Sequence, residues 1–321
     1  MPHRAEQNSS YMCPHYPIAE DILAEIAQSG AEIERAQKQQ SCLPLSPEEI
    51  KQLANELANA TLTEMETLDS AAANQKPILT QETIDKTALI VCFSKPGTYD
   101  KVFKKDKYRD FPWSWGMDRY GADAAAFLGI HIAATKTNQV FAGFYSNPSQ
   151  RSYKYLEPWR NVIGASIDSN IRFLYSGRAA DLRSGTPNDE TAAIRKVLNS
   201  DQAFIPESAV DIRETGISDT YSQVVDLKQY LEENYQKGLI KPGSRIVLVS
   251  FTPQAVRILR MCAQVKPLPE KVELSVLPLP TPKAGLYEYP FIETKGIIFY
   301  TLTQRAALQS IPYTLLGAED E

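Results

Sequence analysis

Residues Thr87-Ala-Leu-Ile-Val-Cys-Phe93 form an unbroken apolar run, and Arg245-Ile-Val-Leu-Val249 is apolar after its first residue. A strand with one wet face alternates polar and apolar side chains. A continuous run instead belongs to a strand covered on both faces, as in a parallel sheet between two helical layers. Shorter strand patterns lie at 171–175, 209–213 and 272–277, each with a polar or charged residue among the apolar ones. Helical patterns near 118–130 and at 188–198, 219–237 and 253–263 lie between the strands. Strands alternating with helices require crossover connections. The expected fold is therefore α/β, a doubly wound, mostly parallel Rossmann-like sheet spanning residues 86–321.

What precedes residue 86 has a different texture. Residues 1–16 are polar and patternless and predict a disordered tail. Over 17–39, Ile18, Ile22, Ile26 and Ile33 recur at near-helical spacing. Ser46-Pro47-Glu48-Glu49 is a helix start: serine at the cap, proline at the first helical position, acids in the first turn. Ile50, Leu53, Leu57 and Leu62 then supply an apolar stripe. Residues 17–85 read as an N-terminal helical appendage, suited to packing, homo-oligomer formation or a protein partner. Residues 131–170 hold Phe141, Phe144, Tyr145, Tyr153, Tyr155 and Trp159 where a short link would suffice, and read as an insertion.

In an open α/β sheet, ligands bind outside the carboxyl ends of the strands. Those positions here are occupied by Lys95 and Gly97, by Ser176, Gly177 and Arg178, by Glu214 and Thr220, and by Ser250, Gln254 and Arg257. Small hydroxyl residues and glycines leave backbone N–H groups available to an anion. Arginine adds a bidentate fork. The net charge of −5 gives no general attraction for nucleic acid or anionic membrane, so an anion site must be local. Residues 99–119 interleave Lys101, Lys104, Lys105, Lys107 and Arg109 with aromatic side chains, but Asp100, Asp106 and Asp110 dilute the charge. That segment reads as a packed loop or ligand lid, with no nucleic acid expected.

The chain has 3 histidines, His3, His15 and His131, and no His–Cys cluster, so no metal site is expected. Glu190, Glu214 and Asp219 read as caps and solvated acids before a cation site. The 4 cysteines lack knuckle or redox spacing and read as small buried hydrophobes, which fits a reducing, cytoplasmic setting. No leader pattern and no transmembrane anchor is expected.

Several segments, in order, resemble the YdcF/SanA/ElyC-like proteins, a bacterial family of largely unassigned biochemistry. Ile171–Gly177 is similar to its strand-and-turn motif, and Asn188–Leu198 to its acidic helix, with Glu190 in the acidic position. Ile205–Glu214 with Ser218, Thr220 and Gln223 resembles its central stretch. Arg245–Leu259 resembles its hydroxyl-to-arginine stretch, Glu293–Tyr300 its closing segment, and Arg119 the arginine opening its first helix. The departures are Arg178 for a turn glycine, Gln254 for a histidine, Gln223 for an asparagine, Lys95-Pro96-Gly97 for a glycine-rich turn, and no membrane anchor.

The resemblance implies a YdcF-like α/β domain and hints at envelope or small-molecule metabolism. Together with the strand-end residues, it points to an anionic or nucleotide-like ligand. Lys95, Gly97, Arg119, Ser176, Gly177, Arg178, Thr220, Ser250, Gln254 and Arg257 would hold it. For a cofactor the reading names only S-adenosylmethionine or another nucleotide derivative. If the chain is an enzyme, Glu190 or Glu214 is the acid or base, since glutamine at 254 cannot exchange a proton near neutral pH. The alternative is a non-catalytic binding or regulatory protein with a decayed site.

Overall fold

The computed structural model describes residues 17–28, 43, 45–74, 81–93, 128, 172–176, 210–213, 217, 219–281 and 286–316. The tail at 1–16, the aromatic loop at 99–119, the insertion at 131–170 and the helix expected at 188–198 lie outside them. So does the helix near 118–130, except Leu128, which is helical and buried. The chain divides into two compact units. One comprises Ala71–Ser250, Pro267–Leu279 and Pro312–Glu321; the other comprises Met1–Ser70, Phe251–Lys266 and Pro280–Ile311.

The first unit is built on a sheet. Its strands are β1 (Thr87–Phe93), β2 (Arg172–Ser176), β3 (Val210–Arg213), β4 (Arg245–Phe251, whose last residue falls in the other unit), β5 (Glu273–Leu279) and β6 (Thr314–Leu315). They form an all-parallel, Rossmann-like sheet in the order β3-β2-β1-β4-β5-β6. The α/β expectation is met. β1 and β4 hold the centre, and the residues from Leu89 to Phe93 and from Ile246 to Phe251 are buried, as their unbroken apolar runs require.

Among the described residues this unit includes α3 (Gln81–Lys86), which runs directly into β1, and α4 (Thr220–Gln236). α4 begins with a capping box. Asp219 Oδ1 accepts the Ser222 N–H at 2.8 Å, and Ser222 Oγ accepts the Asp219 N–H at 2.9 Å. It ends at Gly238, whose φ of +71° lies in the left-handed region that a side chain disfavours.

The second unit is helical. It contains α1 (Ala19–Gln28), α2 (Pro47–Asn74) through Ser70, α5 (Thr252–Val265) and α6 (Glu288–Leu302). The expected start of α2 is realised. The Ser46 N–H donates to Glu49 Oε2 at 2.7 Å, and the Glu49 N–H to Ser46 Oγ at 3.3 Å. These bonds to Ser46 hold the Glu49 carboxyl below its ordinary range.

Among the described residues, the N-terminal helices share their core with α6. Ala19 and Ile22 of α1, with Ala54, Leu57, Ala58 and Leu62 of α2, bury against Ile298 and Leu302 of α6. The compact unit that holds these helices also takes in α5 and α6, and its first segment ends at Ser70. Ile18, read as part of the apolar stripe, is 58% exposed.

Local sequence gives little sign of the helix α6. Its sequence, EYPFIETKGIIFYTL, carries Pro290, Gly296 and several β-branched residues, all poor helix formers. It is buried on most sides, so no amphipathic stripe betrays it. Pro290 is tolerated because it sits in the first turn, where its missing N–H leaves no intrahelical bond unmade. Among the described residues, no helix is long and apolar enough to cross a membrane.

Candidate functional site

The strand order reverses between β1 and β4. From β1 the chain steps outward through β2 and β3, and from β4 it steps the other way through β5 and β6. At such a switch point the connections leave in opposite directions, opening a crevice at the carboxyl ends of the two central strands.

Register decides which side chains line that edge. Val91 of β1 lies beside Leu174 on one flank and Leu248 on the other. Two residues further on, Ser176 and Ser250 therefore share one sheet face, on opposite sides of β1. Two strand spacings place them roughly 10 Å apart. The face is the one α4 packs on, since the Ser176 Oγ lies 3.4 Å from Asp226 Oδ2 of that helix, and Gln223 Nε2 also donates to the Ser176 carbonyl at 2.7 Å.

The two serines have different fates. Ser176 is fully buried, and its Oγ lies 3.4 Å from Asp226 Oδ2. Asp226 is in turn clasped by Arg213, which donates from Nε at 2.8 Å and from Nη2 at 2.7 Å. Ser176 thus belongs to an internal network. Ser250 is 4% exposed, yet its Oγ makes no hydrogen bond among the described residues. A buried hydroxyl without a partner is costly, by about 1–3 kcal/mol, and calls for a water or a ligand.

The network continues toward the strand starts. Arg172 grips Asp211 with two parallel hydrogen bonds, each 2.9 Å. Tyr230 Oη donates to Asp211 Oδ2 at 2.6 Å. The Arg213 guanidinium lies 5.7 Å from the Tyr230 ring centre. Burial, then the hydrogen bond to the Asp211 carboxylate, push the Tyr230 phenol far above its ordinary value. These arginines are committed to carboxylates of the same unit.

Thr220, expected to contact a ligand, is the first residue of α4 and is buried. The amide of Ser222 in that first turn is already occupied by the Asp219 carboxylate, so the helix start brings its own negative charge.

Gln254 and Arg257 belong to the helical unit. Gln254 is buried in the first turn of α5. Arg257 Nε lies 3.0 Å from Glu293 Oε2, with side chains 15% and 1% exposed respectively. The sequence reading offered Arg257 as the charge for an anion. In the structure the same guanidinium faces a buried carboxylate. Glu293 came from the closing segment of the family resemblance, but its pairing was not foreseen. Lys95, Gly97, Arg119, Gly177, Arg178, Glu190 and Glu214 lie outside the described residues.

Asp226 carries no sequence expectation, and Tyr230 reads from the sequence only as part of the apolar face of its helix. A signal was available. Gln223, Asp226 and Tyr230 recur at helical spacing among Val224, Leu227 and Leu231, so polar groups interrupt an otherwise apolar buried face. Such interruptions mark partners on the element beneath.

No protein-family model, curated protein or solved structure matches this chain.

Proposed function

We propose that the chain binds an anionic or nucleotide-like small molecule at the carboxyl ends of β1 and β4. The observation that carries this reading is the buried hydroxyl of Ser250, without a hydrogen-bond partner among the described residues, beside the point where the strand order reverses. A ligand oxygen or nitrogen at that hydroxyl would satisfy it. The residues after β1 and β2 that the sequence nominates, Lys95, Gly97, Gly177 and Arg178, would supply charge and backbone amides. The resemblance to YdcF/SanA/ElyC-like proteins favours a metabolite of envelope or small-molecule metabolism, and S-adenosylmethionine belongs among the nucleotide derivatives to be tried.

The test is a thermal-shift screen of the full chain against nucleotides, S-adenosylmethionine and sugar phosphates. A ligand present at a hundred times its Kd stabilises the native state by about 2.7 kcal/mol. Ser250→Ala is expected to leave the unliganded melting temperature unchanged or raised while the ligand-induced shift shrinks. A shift that Ser250→Ala leaves intact would move the site away from this strand end, and no shift with any of these compounds would remove the reading.

The second reading, a non-catalytic binding or regulatory protein, is favoured by the Arg257–Glu293 pair. An arginine neutralised by a buried carboxylate contributes to the fold rather than to turnover.

A further inference from the structure

We propose that Asp69 is a proton-sensitive tie within the helical unit, joining α2 to the backbone that follows β5 and to the first residue of α5. Asp69 Oδ1 accepts the Thr281 backbone N–H at 2.8 Å across 212 positions of sequence. The hydroxyls of Thr281 and Thr252 also face its carboxyl group. Its second oxygen, Oδ2, is buried without a well-formed hydrogen bond.

What sets this residue apart is the charge of its surroundings. Two other carboxylates of the same unit have arginine partners, Glu293 with Arg257 and Glu64 with Arg260. Asp69 has no cationic partner among the described residues. The groups that act on it, Thr281 and Thr252, are neutral and do not titrate. A partly buried carboxylate held only by neutral donors takes up a proton more readily than one in water, because the ionised form loses hydration that the donors replace incompletely. Burial accordingly raises the Asp69 carboxyl above its ordinary 3.8.

The consequence for stability has a definite sign. The native state binds the proton more tightly than the unfolded chain. The stabilisation from this group is therefore complete below the unfolded value and is lost as pH rises through the raised native value. Protonation also changes the tie itself. A carboxylate receives the Thr281 amide as a charged acceptor, and a neutral acid receives it more weakly. Thr252 opens α5 directly after β4, and Thr281 follows β5 by two residues, so the proton acts on the segments leaving two neighbouring strands.

The experiment compares the full-length wild type with D69N in urea unfolding from pH 4 to pH 8. Asparagine retains an oxygen acceptor for the Thr281 amide but cannot titrate. Above pH 4, the wild-type unfolding constant is expected to rise relative to that of D69N, by up to about tenfold per pH unit while the proton is being lost. The ratio should then level off. Carboxyl NMR titration of the wild type is read beside it and needs no variant. One aspartate should titrate above the ordinary range, and the Thr281 amide shift should follow the same midpoint. Parallel stability curves, or a Thr281 amide that ignores that titration, would overturn the proposal. If D69N does not fold, the wild-type titration decides alone.

Discussion

Replacing Arg257 by alanine tests whether this arginine holds the fold or holds a ligand. Its Nε sits 3.0 Å from Glu293 Oε2, and the Glu293 side chain is 1% exposed. Without the arginine, Glu293 remains buried without that countercharge. Breaking a buried pair in this way costs about 3–5 kcal/mol. Exposed pairs are worth no more than about 1 kcal/mol. Against a typical total stability of about 5–15 kcal/mol, the loss is large. Urea unfolding followed by circular dichroism should show the midpoint of Arg257→Ala falling sharply with little change in slope. Glu293→Gln, which leaves the guanidinium buried, should cost a comparable amount. The double replacement Arg257→Met with Glu293→Leu should recover most of the loss, because apolar side chains of similar volume carry no desolvation penalty. A loss below about 1 kcal/mol in Arg257→Ala, accompanied by lost binding of an anionic compound, would refute the structural role. It would restore Arg257 to the ligand.

Two further outcomes follow from the packing. Tyr230→Phe removes the 2.6 Å hydrogen bond to Asp211, which keeps its two bonds from Arg172, so the cost should lie near the lower end of about 1.5–3 kcal/mol for bonds to charged groups; in alkaline difference absorbance, one tyrosine that ionises later than the rest should be missing from this variant. Ile22→Ala should cost about 2–5 kcal/mol, and deleting residues 1–80 should leave a protein without cooperative unfolding, because α1 and α2 cover Ile298 and Leu302 of α6; a deletion that unfolds as sharply as the full chain would show the N-terminal helices to be separable after all.

β1 and β4 were legible because burial on both faces writes itself into consecutive residues, whereas the two-residue β6 (Thr314–Leu315) left no pattern to read. Thr87–Phe93 was read to the residue, and β2 to β5 within one or two. The start of α2 was legible for a local reason as well, since Ser46 and Glu49 satisfy each other within one turn. α6 was not. A helix buried on most sides has no polar stripe, and Gly296-Ile-Ile-Phe-Tyr300 is as good a strand as a helix by local preference. Its identity comes from the apolar surface that α1 and α2 offer it. Local pattern ends a segment where texture changes, near residue 86, whereas a compact unit ends where packing does, here at Ser70.

The strand-end argument selects positions, and positions alone do not say whether a polar group is free. Ser176 and Ser250 are indistinguishable in sequence: each ends or nearly ends an apolar strand, each is a small hydroxyl, and the register puts both on one face. What separates them is Asp226, 50 residues from Ser176 along the chain, which draws the Ser176 hydroxyl inward while Arg213 fixes the carboxylate. Arg257 illustrates the same rule for charge, because Glu293 takes up a cation that position alone would have assigned to a ligand. Where a polar group sits follows from local pattern, but its availability follows from long-range pairing. On that criterion Ser250 is the strand-end residue of the described sheet whose hydrogen-bonding capacity is still unspent among the described residues.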